Sequence, residues 1–113
     1  MSSAQFWQAV EEFNQEKFYA CHDTLESIWL ESIPEDKNFY QGVLQIAVAC
    51  YHLGNSNLRG AIILLGEGVT RLRNYQPIYA EIDVNNLLQT SYHLLQDLQK
   101  LSIEGKLQDL NID

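Results

Sequence analysis

The stretch Val43-Leu44-Gln45-Ile46-Ala47-Val48-Ala49-Cys50-Tyr51 is apolar nearly all the way round a helical wheel, with a single amide inside it. A helix with no polar face has no side to offer water, so other helices must enclose it. Gly54-Asn55 follows as a helix stop. The pattern therefore predicts a central helix over about residues 36–53. The chain has 113 residues, about one domain. Its remaining segments must wrap that helix.

They carry the periodicity to do so. A helix over about 3–14 puts Phe6, Val10 and Phe13 on one face, with Ser2 and Gln5 spaced for a capping box. A helix over about 16–32 carries two adjacent stripes. One is Phe18, Cys21, Leu25 and Ile28, the other Tyr19, His22, Glu26 and Trp29. Pro34 closes it, because the residue before a proline avoids the helical conformation. A helix over about 56–73 turns Leu58, Ala61, Ile62, Leu65, Val69 and Leu72 inward. Its Gly60, Gly66 and Gly68 each cost roughly 1 kcal/mol relative to alanine, which close approach to a neighbouring helix would offset. A connector with Pro77 spans 74–82. Asp83 then caps the fifth helix, and Ile82 and Leu87 are spaced for a hydrophobic staple. The stripe Leu87, Leu88, Ser91, Leu94, Leu95, Leu98 and Leu101 runs to Gly105, which is expected to end the helix and leave 105–113 frayed. No strand alternation, internal repeat or domain boundary is visible. The reading is all-α: residues 1–113 form a single-domain bundle of about five helices with a central apolar third helix.

Composition narrows the function classes. Hydrophobic residues at 46% and charged residues at 19% exclude a disordered chain. The net charge of −8 argues against a nucleic-acid binder and against an anionic membrane surface. No apolar run reaches the roughly 18 residues of a membrane span. Cys21 and Cys50 lie in apolar helical patterns and form no C-x-x-C pair, so reduced thiols are expected. The first residues lack a basic segment followed by an apolar one, and a cytoplasmic location is expected.

One constellation could carry chemistry. With helices two and three as an antiparallel hairpin turning near Glu35, Trp29 faces Gly42, Glu26 faces Gln45, His22 faces Ala49, and Tyr19 faces His52. Gln45 lies in the most apolar run of the chain. A buried amide without partners costs roughly 1–3 kcal/mol, and Glu26 and His22 are the nearest candidates. The candidate site is therefore Tyr19, His22, Glu26, Trp29, Gln45 and His52, with Gly42 and Ala49 packed against it.

On one reading this is a hydrogen-bond network that fixes the register of the two helices in a non-catalytic module. A protein partner, or a second copy of the chain, would then use the aromatic surface. On the other it is a small-ligand or enzyme site, with His22 as base and Glu26 orienting it. A metal-dependent hydrolase is the sharper form of that reading, since H-x-x-x-E can place two ligands on one ion. His52 counts against it, because about 10.5 Å of helical rise separates it from Gln45. No motif specifies a cofactor. His93, with Gln89 and Asp97 one turn to either side, reads as a surface histidine. Arg59, Arg71 and Arg73 are the only basic concentration, a solvated face or an anion site. Tyr40, Tyr51, Tyr75, Tyr79 and Tyr92 read as helix contacts or an oligomer face.

The same residues carry a family resemblance. Phe18-Tyr19-Ala20-Cys21-His22-Asp23-Thr24-Leu25-Glu26-Ser27-Ile28-Trp29 resembles the signature of the uncharacterised all-helical family called domain of unknown function 309. Phe39-Tyr40-Gln41-Gly42-Val43-Leu44-Gln45-Ile46-Ala47-Val48-Ala49, followed by His52, agrees with it. So do Asn57-Leu58-Arg59-Gly60-Ala61 and Ile82-Asp83-Val84. These blocks cover most of residues 13–90. The resemblance implies a compact helical domain and no particular activity. The positions matching the signature are His22, Leu25, Glu26, Trp29, Gly42, Gln45 and Ala49. Lys17, where glycine is common, and Asp23, where glutamate is usual, depart from it.

Overall fold

The computed structural model describes residues 4–110, with side chains through residue 105. The capping box expected at Ser2 lies outside the described residues. Five α-helices follow in order: α1 (Ala4–Asn14), α2 (Phe18–Glu31), α3 (Pro34–Gly54), α4 (Leu58–Leu72) and α5 (Val84–Leu110). A 3-10 turn (Arg73–Tyr75) and two short strands, β1 (Ile78–Tyr79) and β2 (Ile82–Asp83), join α4 to α5.

α3 is the central helix, packed between α2 and α4. Its first turns hold the centre of an aromatic cluster. Phe39 is fully buried, with the rings of Phe6, Tyr40, Tyr75 and Tyr79 at centroid distances of 6.0, 5.4, 5.4 and 4.8 Å. Each large apolar side chain so buried contributes roughly 1.5–3 kcal/mol. Phe6, Leu25, Leu65, Leu72 and Val84 extend this core along the chain. Pro34 does more than end α2. Ile33 is extended (φ −69°, ψ 156°), and Pro34 is the first residue of α3, where a missing N–H costs nothing.

The sequence shows no internal repeat, yet a turn and its flanking burial pattern recur in the structure. The α1–α2 and α3–α4 hairpins share one turn, displaced by forty residues. In the first, Lys17 N–H donates to Glu12 O (2.8 Å) and Glu16 N–H to Phe13 O (3.0 Å). In the second, Asn57 N–H donates to His52 O (2.8 Å) and Ser56 N–H to Leu53 O (3.1 Å). Both are Schellman ends, with Glu16 and Ser56 in the left-handed region. The sequence of buried, half-buried and exposed positions over 11–25 recurs at 51–65. Chemistry hides this repeat: Glu16-Lys17-Phe18 and Ser56-Asn57-Leu58 share only the last, apolar, position. Gly54, expected as the stop, is the last helical residue, and the left-handed position falls on Ser56 two residues later.

The connector also departs from the expectation. Ile78 pairs with Asp83 and Tyr79 with Ile82 in an antiparallel ribbon. Two-residue strands are too short to show alternation in sequence. Asp83 caps α5 as expected, its carboxylate accepting from Asn86 N–H at 3.0 Å. Gly105 does not end α5, which continues to Leu110. A helical glycine costs only about 1 kcal/mol, and a true stop needs a left-handed residue, which no glycine here supplies. At 27 residues, α5 is roughly 40 Å long.

Candidate functional site

Gln45 is buried, as its apolar surroundings require, but its partners are on α4. Its amide donates to Glu67 Oε2 at 2.8 Å and accepts from Arg71 Nε at 3.0 Å. Arg71 also donates to the Asn38 side chain. Gly42 faces α4 as well. A Cβ there would lie 3.0 Å from Leu72 and 3.3 Å from Arg71 Cβ, so it is not the seat of Trp29. The expected pairings of Gln45 with Glu26 and of Gly42 with Trp29 are therefore wrong.

The error is one of azimuth. Tyr19 and Tyr51 do meet across α2 and α3, with centroids 5.6 Å apart, and Lys37 Nζ lies 4.7 Å over the Trp29 ring. The stripe of α3 through positions 37 and 51 faces α2. Gln45 is one residue off that stripe, a rotation of about 100°, and so faces α4.

The rest of the expected constellation lies at the surface of α2. His22 is half-buried, with Asp23 at 3.3 Å from Nδ1 and Glu26 at 3.5 Å from Nε2. Tyr19 is 62% exposed and tilts against His22 at 6.1 Å. His52 points to the α3–α4 turn, where Nδ1 lies 3.3 Å from Asn57 Nδ2. Trp29 Nε1 is shut off from solvent without an acceptor among the described residues. Ala49 is buried. His22, Glu26, Gln45 and His52 thus do not converge. Among the described residues, no three His, Cys, Asp or Glu side chains gather as ligands for one ion.

Cys21 lies in the core and Cys50 is half-buried. Cys21 donates to Ala9 O at 3.3 Å, and burial, then the charge of Glu12, pushes its thiol up to about 12. Burial also raises Cys50. A thiol held protonated is a poor nucleophile.

A more apolar cavity lies elsewhere. A solvent-open groove of about 370 Å³ runs between α1 and the start of α5, with α3 beneath it. Phe6, Ala9, Val10 and Phe13 form one wall. Val43 and Ile46 form the floor, and Ile82 and Leu87 the other wall. Asn14, Asp83, Asn86 and Thr90 supply its polar rim. One signal for it was present in the sequence. α3 is apolar all round, yet α2 and α4 cover only two of its sides. The third side is this floor.

Five helices packed on one another, with two helical hairpins in tandem and a groove along their first helices, define a compact all-α domain. The chain belongs to the family described as domain of unknown function DUF309, which matches residues 6–64, from the first groove residue into α4. It is 27% identical over 88 residues to "Uncharacterized protein YpuF" of Bacillus subtilis (strain 168), across 75% of this chain and 51% of that protein. The chain thus spans about half the length of that relative. No solved structure matches it. Among the described residues, no helix is long and apolar enough to cross a membrane.

Proposed function

We propose that the chain is a non-catalytic helical-repeat module that holds the apolar face of an amphipathic helix from a protein partner. The groove bordered by α1, α3 and α5 carries this reading. Its walls are apolar, its length follows two helices, and its rim offers amides, a hydroxyl and the Asp83 carboxylate. Helix-in-groove recognition uses this combination, with anchors at i, i+3, i+4 and i+7 filling the trough. In a chain of net charge −8, the flanks of the bound helix would be basic.

The alternative, an enzyme or small-ligand site at His22, Glu26, Gln45 and His52, is disfavoured by the geometry, because Gln45 and His52 turn away from the His22–Glu26 pair. Self-association through the same groove is the competing use of the surface.

Selection of helical peptides from a display library on the immobilised chain tests the proposal. Amphipathic peptides with basic flanks should be enriched. Val10→Glu, at the half-buried wall of the groove, should abolish their binding at a temperature where circular dichroism shows the variant still helical. Peptides that bind the variant equally well, or no amphipathic enrichment, would defeat the reading. A concentration-dependent dimer that Val10→Glu dissolves would replace the partner with a second copy.

A further inference from the structure

A second groove, of about 690 Å³, lies on another side of α5, against the end of α4 and the 3-10 turn. Its apolar floor is Val69 and Leu88, both buried, and the Tyr92 ring stands at its edge, 44% exposed. The polar groups around it include no acid. Arg73 and His93 bring cationic or N–H donor groups, and Gln76, Asn85 and Gln89 bring neutral amides. Gln76 Nε2 donates to Asn85 Oδ1 at 2.9 Å, which ties the 3-10 turn to the first turn of α5. No carboxylate lines the groove, in a chain with 15 acidic residues against 7 basic ones. The nearest acids along α5 are turned to other tasks or lie further on. Asp83 caps the helix and lines the first groove, and Asp97 follows His93 by one turn.

Arg73 is the distinctive group. Arg71, two residues earlier, spends its guanidinium on Gln45 and Asn38. The guanidinium of Arg73 makes no ion pair or hydrogen bond among the described residues. A cation at the C-terminal end of α4 does stabilise the helix dipole, but that role asks for no groove and no surrounding donors. The first turns of α5 add their own positive field on the opposite wall, at Asn85 and Gln89.

We propose that this groove binds a small organic anion. Its phosphate or carboxylate would lie between Arg73 and His93, and a planar ring would rest against the exposed Tyr92 ring. Guanidinium recognises either anion by paired hydrogen bonds, so phosphate and carboxylate share the site chemistry.

The test is a titration of the isotope-labelled chain, followed by backbone amide NMR, with adenosine 5′-monophosphate, adenosine and phenylacetate as probes. The mononucleotide should shift the signals of residues 69–93 to saturation, and adenosine should bind at least about tenfold more weakly, because the Arg73 contact is lost. Arg73→Ala should remove the mononucleotide response while the dispersion of the amide signals shows that the fold is kept. Saturation by phenylacetate alone would keep the site and make its ligand a carboxylate. Three results would each overturn the proposal: no saturable response to either anion by about 10 mM, a weak-binding limit; equal affinity for adenosine; or binding that survives Arg73→Ala.

Discussion

Glu16 and Ser56, forty residues apart, occupy the same place in two successive helical turns, each with φ of 60°. Each is the left-handed residue of a Schellman end, where glycine is the usual occupant because a Cβ is strained there. Glu16→Gly and Ser56→Gly should therefore each stabilise the fold by about 0.5–1 kcal/mol, after allowing for the freedom glycine adds to the unfolded chain. Chemical denaturation of the two single variants and the double variant checks this. The two gains should add, since the turns are separate. A loss at either site would mean that its side chain has a role beyond the turn.

Gly68 and Gly66 share a helix and should respond oppositely to one methyl group. At Gly68 a Cβ would meet Ile46 Cγ1 at 2.8 Å and the carbonyl oxygen of Gly42 at 2.9 Å, and that backbone oxygen cannot move aside. This is the close approach the sequence suggested as compensation for the helical glycines. At Gly66 nothing lies within 4 Å. Gly68→Ala should cost about 1–3 kcal/mol by forcing α3 and α4 apart. Gly66→Ala should gain up to about 1 kcal/mol from helix propensity alone. Thermal unfolding of the pair reads both signs.

The Gln45 network joins α3 to α4, so its removal and the removal of Glu26 should differ. Arg71→Ala deprives the buried Gln45 Oε1 of its donor and should cost about 1–3 kcal/mol. Glu26→Gln should change stability by no more than about 0.5 kcal/mol, because the Glu26 side chain is 53% exposed and, among the described residues, pairs only with His22. Equilibrium denaturation of both variants decides it. A large cost for Glu26→Gln would restore the α2–α3 seam that the sequence suggested.

These cases show what kind of information the sequence carries. The α2 stripe Cys21, Leu25 and Ile28, the Asp83 cap and the burial of Gln45 were all legible, because each depends on spacing along one element. The partners of Gln45 were not. Two antiparallel helices can be matched in height from sequence, but a one-residue change of azimuth moves a side chain from one neighbour to another. The repeat was hidden because its left-handed positions hold Glu16 and Ser56, where a glycine would have marked them. The groove was hidden for a different reason: its walls come from α1, α3 and the start of α5. Only the surplus of apolar faces on α3 hinted at it.

The last prediction concerns the connector, where the Tyr79 phenol donates to the Asp36 carboxylate at the start of α3. That bond, aided by burial and by the charge of Asp36, pushes the phenol up to about 12. Burial first, then Asp36, also raises Tyr40. A group whose folded pKa lies above its unfolded value of about 10 stabilises the fold fully below that value, and the contribution fades as pH rises through the folded pKa. The stability difference between the parent chain and Tyr79→Phe should thus be constant up to about pH 10 and close toward about pH 12. Denaturant titrations across that range measure it. Ultraviolet titration of the six tyrosines should show the late-ionising component shrink in the variant. A stability gap independent of pH would mean that Tyr79 holds the ribbon to α3 through its ring contacts with Phe39 and Tyr75, and not through the bond to Asp36.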